Sequence, residues 1–330
     1  LCRAHGVSPC LDVETKREGA LSLACSLTKA AKFNVSNPDN MFTLQHCIKK
    51  ARTMLKRNFP ILLLVVVPVL SSLIHAQDSI AHYMANEGLM VVQGDTKIIF
   101  DPLFRDDYGQ YMLLPEEMEA ALFAGEQPFD GVDAIFVSHF HGDHFSPEDM
   151  LRLLQAQTGI QLYAPAQAGV GLRAVAGAGE QAVFERVTAV ALEYKDDPVK
   201  LEMEGLSIAA VRIPHSGWPT GRVDIENIVW RVTLNASATV LHMGDADPND
   251  VHFAPDADYW DESPPHMAFP PYWFLNSNSG RQILQNRIKA VRSVGIHVPV
   301  TIPADPIRRP LDLRSADLFT ESGETRIIPR

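Results

Sequence analysis

Four side chains with chemistry to offer crowd into the stretch Val137 to Asp149, VSHFHGDHFSPED: His139, His141, Asp143 and His144, spelling H-x-H-x-D-H. Imidazole nitrogen and carboxylate oxygen are the donors that zinc and other borderline divalent ions accept. Neither the 3.6-residue period of a helix nor the two-residue period of a strand asks for three histidines so close together. With only 12 histidines in 330 residues, the cluster reads as a metal site rather than as a polar loop. Three later positions share its setting of a polar side chain just past an apolar strand. They are His215, Asp245 and His297.

The flanking residues say what must hold the cluster. Ala134-Ile135-Phe136-Val137 is a continuous apolar run, the pattern of a strand buried on both faces. After the cluster, Ser146 can cap a helix, Pro147 suits its first position and Asp149 completes a capping box, ahead of the apolar stripe Met150, Leu151, Leu153, Leu154. The motif is therefore expected on a strand-to-helix loop fixed at both ends. Upstream, Leu89–Gln93 and Thr96–Phe100 read as a hairpin turning at Gly94-Asp95, and Pro115–Ala124 as a helix. Downstream come a short strand at Gln161–Ala164, an Ala/Gly-rich segment 166–179 that could be helix or loop, and a strand from Leu206 to Ile213. A second hairpin, Ile228–Leu234 with Thr239–Met243, follows. Strands alternating with helices point to an α/β layered domain.

Composition narrows the chemistry. All four cysteines, Cys2, Cys10, Cys25 and Cys47, lie in the first 53 residues, so thiolate ligands, disulfides and a Cys nucleophile are excluded from Gln77 onward. From there on, 19 Lys and Arg stand against 36 Asp and Glu, a net charge of −17 that repels phosphate backbones and argues against a nucleic-acid partner. Lys49, Lys50, Arg52, Lys56 and Arg57 precede an apolar run from Phe59 to Leu70 and small residues up to Ala76, the layout of a cleaved secretory signal. That run falls short of the roughly 20 residues a membrane span needs. The expected organisation is an upstream extension at 1–53, non-native or disordered, a signal peptide at 54–76 opening on Met54, and a working domain at 77–330. A secreted or periplasmic protein follows, touching membrane only if the signal stays uncleaved.

The order H-x-H-x-D-H, then His, Asp and His, each after a core strand, resembles the metallo-β-lactamase fold superfamily over nearly all of residues 80–330. NEGLMVVQGDTKIIFDPLF and IENIVWRVTL…ATVLHMGDAD are similar to the branch of ascorbate-phosphate-lactonase-like and N-acylphosphatidylethanolamine phospholipase D-like hydrolases. The resemblance implies a four-layer αββα sandwich. It implies one metal on His139, His141 and His215, a second on Asp143, His144 and His297, and Asp245 bridging the two. His252 and His266 compete with His297 for the last position, though neither follows a clear strand. The β-lactam-cleaving branches commonly use Cys where Asp245 stands, so β-lactamase activity is disfavoured.

The implied chemistry is hydrolysis of an ester, lactone or phosphodiester in a small-molecule substrate by a metal-bridging hydroxide, with two divalent ions, most simply zinc. The leaving group would need an acid: a metal-bound water, His266 or Tyr272. Tyr259-Trp260 and Pro270-Pro271-Tyr272-Trp273-Phe274 read either as an aromatic wall to a cleft or as ordinary packing. Asp224 and Glu226 read as turn and surface residues. Rival readings are an iron-dependent oxidoreductase on the same scaffold and a non-catalytic metal-binding protein.

Overall fold

The computed structural model describes residues 78–330. The upstream extension and the signal segment expected at 1–53 and 54–76 lie outside the described residues. Among the described residues no helix is long and apolar enough to cross a membrane.

Chain order runs β1 (Ser79–Ala85), β2 (Gly88–Gln93), β3 (Thr96–Phe100), α1 (Glu116–Ala124), β4 (Ala134–Phe136), α2 (Pro147–Ala156), β5 (Gln161–Pro165), α3 (Ala166–Val175) and β6 (Val187–Val190). It continues with β7 (Val199–Met203), β8 (Leu206–Arg212), β9 (Ile228–Leu234), β10 (Ala238–His242), β11 (Met267–Phe269), β12 (Arg292–Ser293) and β13 (Thr325–Ile328). One sheet has the order β13-β1-β2-β3-β4-β5-β6, the other β12-β11-β10-β9-β8-β7.

Side-chain alternation sorts these strands into four layers. Ile98 and Phe100 of β3, Ala134 and Phe136 of β4, and Trp230 and Val232 of β9 pack together between the sheets. Ile99 and Ile135, one residue out of phase, face outward and meet Met150, Leu153 and Leu154 of α2 and Leu172 of α3. On the far side, Val229 and Leu241 pack against Tyr259, Trp260 and Phe274. The result is the αββα sandwich. Strand β4 is buried on both faces, as its unbroken apolar run requires.

Strand direction places the chemistry. In the first sheet β3, β4, β5 and β6 run parallel. In the second, β8 and β10 both run antiparallel to β9, and β10, β11 and β12 are parallel to one another. Strands β8, β10 and β12 therefore finish at one edge, and each is followed within a few residues by His215, Asp245 or His297. Bonds from Trp230 Nε1 to the Val137 carbonyl (2.8 Å) and from Ile228 N to the Ser138 carbonyl (2.9 Å) hold that edge to the end of β4.

Candidate metal centre

The H-x-H-x-D-H segment sits between two fixed elements. His144 N and Phe145 N both bond the His141 carbonyl, turning the loop tightly, and the Gly142 carbonyl accepts from Arg105 N and Asp106 N. Ser146 Oγ then accepts from Asp149 N at 3.4 Å and caps α2, with Pro147 opening it. The reciprocal half of the capping box does not form. The Asp149 carboxylate takes the Ser146 hydroxyl (2.7 Å) and Arg105 Nε (2.5 Å) instead.

All seven residues singled out in the sequence point into one volume at this edge. His139 Nε2 and His215 Nε2 each lie 3.1 Å from His141 Nδ1. Asp245 Oδ2 stands 3.1 Å from His215 Nε2, while its other oxygen, Oδ1, stands 3.1 Å from His297 Nε2 and 3.5 Å from His144 Nε2. Asp143 Oδ2 completes the second group, 3.4 Å from His297 Nε2 and 3.6 Å from His144 Nε2. One carboxylate thus faces two separate ligand groups with one oxygen each. His139, Asp143, His144, His215, Asp245 and His297 are all buried; His141 is half-buried and marks the open side.

The far edge of each imidazole decides which nitrogen is free. His144 Nδ1 donates to Asp101 Oδ2 (3.0 Å), and the same oxygen accepts the Ser138 hydroxyl (2.5 Å). Ser138 Oγ in turn accepts from His139 Nδ1 (3.1 Å), and His215 Nδ1 donates to the Ser216 carbonyl (2.8 Å). With their Nδ1 protons so engaged, these three rings turn Nε2 inward as the atom that can meet a cation. Asp101 follows β3 and Ser138 follows β4, so the parallel pairing of those strands delivers both beneath the histidines.

The side chains fit a divalent cation. Two imidazole nitrogens each 3.1 Å from a third repel it unless something positive sits among them. The spacing is close to the edge of about 3.3 Å expected for a tetrahedron with zinc–nitrogen bonds of about 2.0 Å. His144 Nε2, Asp143 Oδ1 and Asp245 Oδ1 are buried without a hydrogen bond, a costly state that a cation relieves. Burial, reinforced by the neighbouring histidines, pushes His139 well below its ordinary range and His141 down to about 4, so both offer lone pairs at neutral pH. Burial would raise Asp245, but His297 and His144 more than reverse it and hold that carboxyl well below its ordinary range.

The backbone that delivers Asp245 is unusually constrained. Gly244 has φ +50°, and a Cβ there would come within 2.4 Å of Asn227 Oδ1 and 2.7 Å of Ser138 Cβ. Asn227 Oδ1 accepts from Asp245 N (2.9 Å), while its amide donates to the Ile213 and Met243 carbonyls (both 3.2 Å). This buried Asn ties the ends of β8 and β10 together.

The profile of the beta-lactamase superfamily domain matches residues 96–265, just over half of the chain. This chain belongs to that superfamily. No curated protein matches it in sequence. Among solved structures, a metallo hydrolase from the hyperthermophilic archaeon Ignicoccus hospitalis superposes with a TM-score of 0.51 at 19% identity, over 76% of this chain and 98% of its own. A possible metal-dependent hydrolase from Veillonella parvula gives 0.50 at 13% identity, over 76% of this chain and all of its own. At those identities the likeness speaks for the fold.

Other residues weighed in the sequence fall elsewhere on the superfamily scaffold. His266 Nδ1 accepts from Thr239 N (2.9 Å), near the start of β10, at the opposite end of that strand from Asp245. It is neither a ligand nor a leaving-group acid. His252 bonds the Tyr194 hydroxyl through Nδ1 (2.8 Å) and packs edge-on against Trp218, outside the ligand groups. The aromatic stretch divides: Tyr259, Trp260 and Phe274 are core, whereas Trp273 lies 5.4 Å from the His297 ring and bonds the Ala246 carbonyl. Glu226 accepts from Gln167 N and the Asp224 carbonyl accepts from Gln167 Nε2, fastening a loop to the start of α3.

Two neighbours of the centre carried no signal in the sequence. Tyr111 packs edge-on against His297 with ring centroids 4.0 Å apart. Glu87 is fully buried, both carboxyl oxygens lack hydrogen bonds, and Oε2 lies 3.7 Å from His144 Nδ1 and 3.5 Å from His242 Nε2. Burial pushes its carboxyl well above the ordinary range.

Proposed function

We propose that this protein is a metal-dependent hydrolase that cleaves an ester, lactone or phosphodiester bond in a small-molecule substrate. The observation that carries the reading is the division of Asp245, one oxygen toward His215 and the other toward His297 and His144. In this reading His139, His141 and His215 would hold one divalent ion, Asp143, His144 and His297 would hold a second, and Asp245 would offer an oxygen to each. A donor set of imidazole and carboxylate without sulfur suits zinc.

When bound, two such ions would supply Lewis acidity and bring the pKa of water down toward neutrality. The side chains supply the rest. Asp101, Ser138 and the Ser216 carbonyl fix the rings so that no reorientation is needed during turnover. The apolar layer beneath, Phe100 and Phe136 with Trp230, keeps water out from behind. His141, on the open side, marks where substrate enters. The reading carries with it export to a secreted or periplasmic location, which N-terminal sequencing of the mature protein would test.

A panel of activated carboxylic esters, lactones and phosphodiesters, run with and without chelator, tests the activity. The expected outcome is turnover of at least one class that chelator abolishes and added zinc restores. Turnover indifferent to chelator would overturn the proposal. Iron in the purified protein with no hydrolysis of any class would favour the oxidoreductase reading instead.

A further inference from the structure

We infer that Arg222 recognises an anionic group on the substrate, a phosphate or carboxylate next to the scissile bond, and so makes this a hydrolase of charged esters. The inference deepens the hydrolase reading and rests on it.

Arg222 lies in the segment that leaves His215 and returns to β9. Its Nη1 reaches the Ser216 carbonyl at 3.4 Å, and that same carbonyl holds the Nδ1 proton of His215. The guanidinium therefore stands one peptide group away from a ligand ring. Its backbone has φ +54°, a left-handed conformation that costs a non-glycine residue energy.

What Arg222 lacks is equally informative. Between Gln77 and the C-terminus acids outnumber bases 36 to 19, and several arginines find carboxylates: Arg105 pairs with Glu119 and Asp149, Arg287 with Asp250, Arg292 with Asp317. Arg222, exposed, makes no ion pair among the described residues; the same holds of Arg173, Arg186, Arg281, Arg308, Arg309 and Arg314, so its place beside His215 is what singles it out. A guanidinium kept free of carboxylates in an acidic domain, beside a cation-binding centre, is available to an incoming anion.

Tyr108 supports the placement. Tyr108 stands on the loop between β3 and α1, whose Asp106 and Asp107 carboxylates are taken up by the backbone amides of Tyr108 and Gly109. After burial, Asp143 and Asp106 hold the Tyr108 proton on and Arg222 opposes them, with Asp245 adding to the first effect. The phenol thus lies within the field of both the guanidinium and the inner carboxylates. The planar guanidinium fork matches two oxygens of phosphate or carboxylate, and lysine offers only a point charge in the same place.

The test uses a matched pair, 4-nitrophenyl hydrogen succinate against 4-nitrophenyl butyrate, with 4-nitrophenyl 3-phosphonopropionate to separate carboxylate from phosphate-like anions. Wild type, Arg222→Gln and Arg222→Lys are compared, each with metal content measured. Wild type is expected to prefer a charged ester in kcat/KM. Arg222→Gln should lose about tenfold of that preference, mainly through KM, and Arg222→Lys should recover part of it. Whichever charged probe shows the larger loss identifies the anion. A preference unchanged in Arg222→Gln, or charged and neutral esters losing rate equally, would overturn the inference. Calorimetric binding of phenylphosphonate to the metal-loaded proteins separates the two readings. Arg222-dependent binding without hydrolysis of any ester would remove the hydrolase reading and keep the anion site. Chelator-sensitive hydrolysis without Arg222 dependence would do the reverse.

Discussion

His297 shows how the inner carboxylates set a competition between proton and metal. Burial alone would push its imidazole down, but Asp245 and Asp143 reverse that and raise it to about 9. Its ordinary value is 6.5, so in protein stripped of metal the ring keeps its proton through neutral pH. An ion must displace that proton. Metal affinity is therefore expected to fall as pH drops below about 9, with proton release on binding near pH 7.5. Calorimetry in buffers of different ionisation enthalpy reads the release directly. The same shift gives the metal-stripped fold a contribution present below pH 6.5 and lost as pH rises through about 9, measurable by urea unfolding. A second residue-scale expectation concerns Asp101. Asp101→Asn should weaken metal binding by roughly 10–100-fold, because His144 loses the acceptor that orients it. The seven inner residues were legible in the sequence because each is His or Asp just past an apolar run. Asp101, Ser138, Asn227 and Tyr111 were not, since each is an ordinary polar or aromatic residue until strand pairing or packing brings it to the centre.

At the scale of elements, the turn after β10 and the start of α2 hold the geometry. Gly244→Ala places a methyl against Asn227 and Ser138 at a left-handed backbone position. Overpacking and strain of this kind cost about 1–3 kcal/mol, and the accommodating shift would fall on Asp245. The variant should melt lower and bind less metal, read by calorimetry and elemental analysis. Ser146→Ala removes the cap of α2 and should cost about 1 kcal/mol in denaturant unfolding while leaving metal content unchanged. The long or strongly patterned elements, β2 with β3, α1, β4, α2, β8 and the β9–β10 hairpin, could be read from periodicity and turn residues. Strands β1, β6, β7 and β11 to β13 could not. Several are short, and their existence depends on partners far away in the chain, as when β1 pairs with β13, Ser79 opposite Ile328. His297 was the hardest candidate to place for the same reason, since β12 has only two residues and the His297 backbone is itself left-handed.

The whole molecule explains why ligands scattered between residues 139 and 297 converge. Two sheets pack face to face over one apolar layer, and the strands that matter in each run so that their C-terminal ends share an edge. No single segment brings these seven side chains together, but an edge fed by β4, β8, β10 and β12 does. The excess of acidic residues from Gln77 onward favours cations in general. The claim on which all of this depends is that two ions share Asp245. Elemental analysis of the purified, metal-loaded protein tests it most directly, alongside Asp245→Ala checked for fold by circular dichroism. Two divalent ions per chain in the wild type, falling to one or none in a folded Asp245→Ala protein that no longer turns over substrate, is the expected result. A wild type that binds no metal, or an Asp245→Ala variant that still holds two ions and hydrolyses at the normal rate, would contradict it.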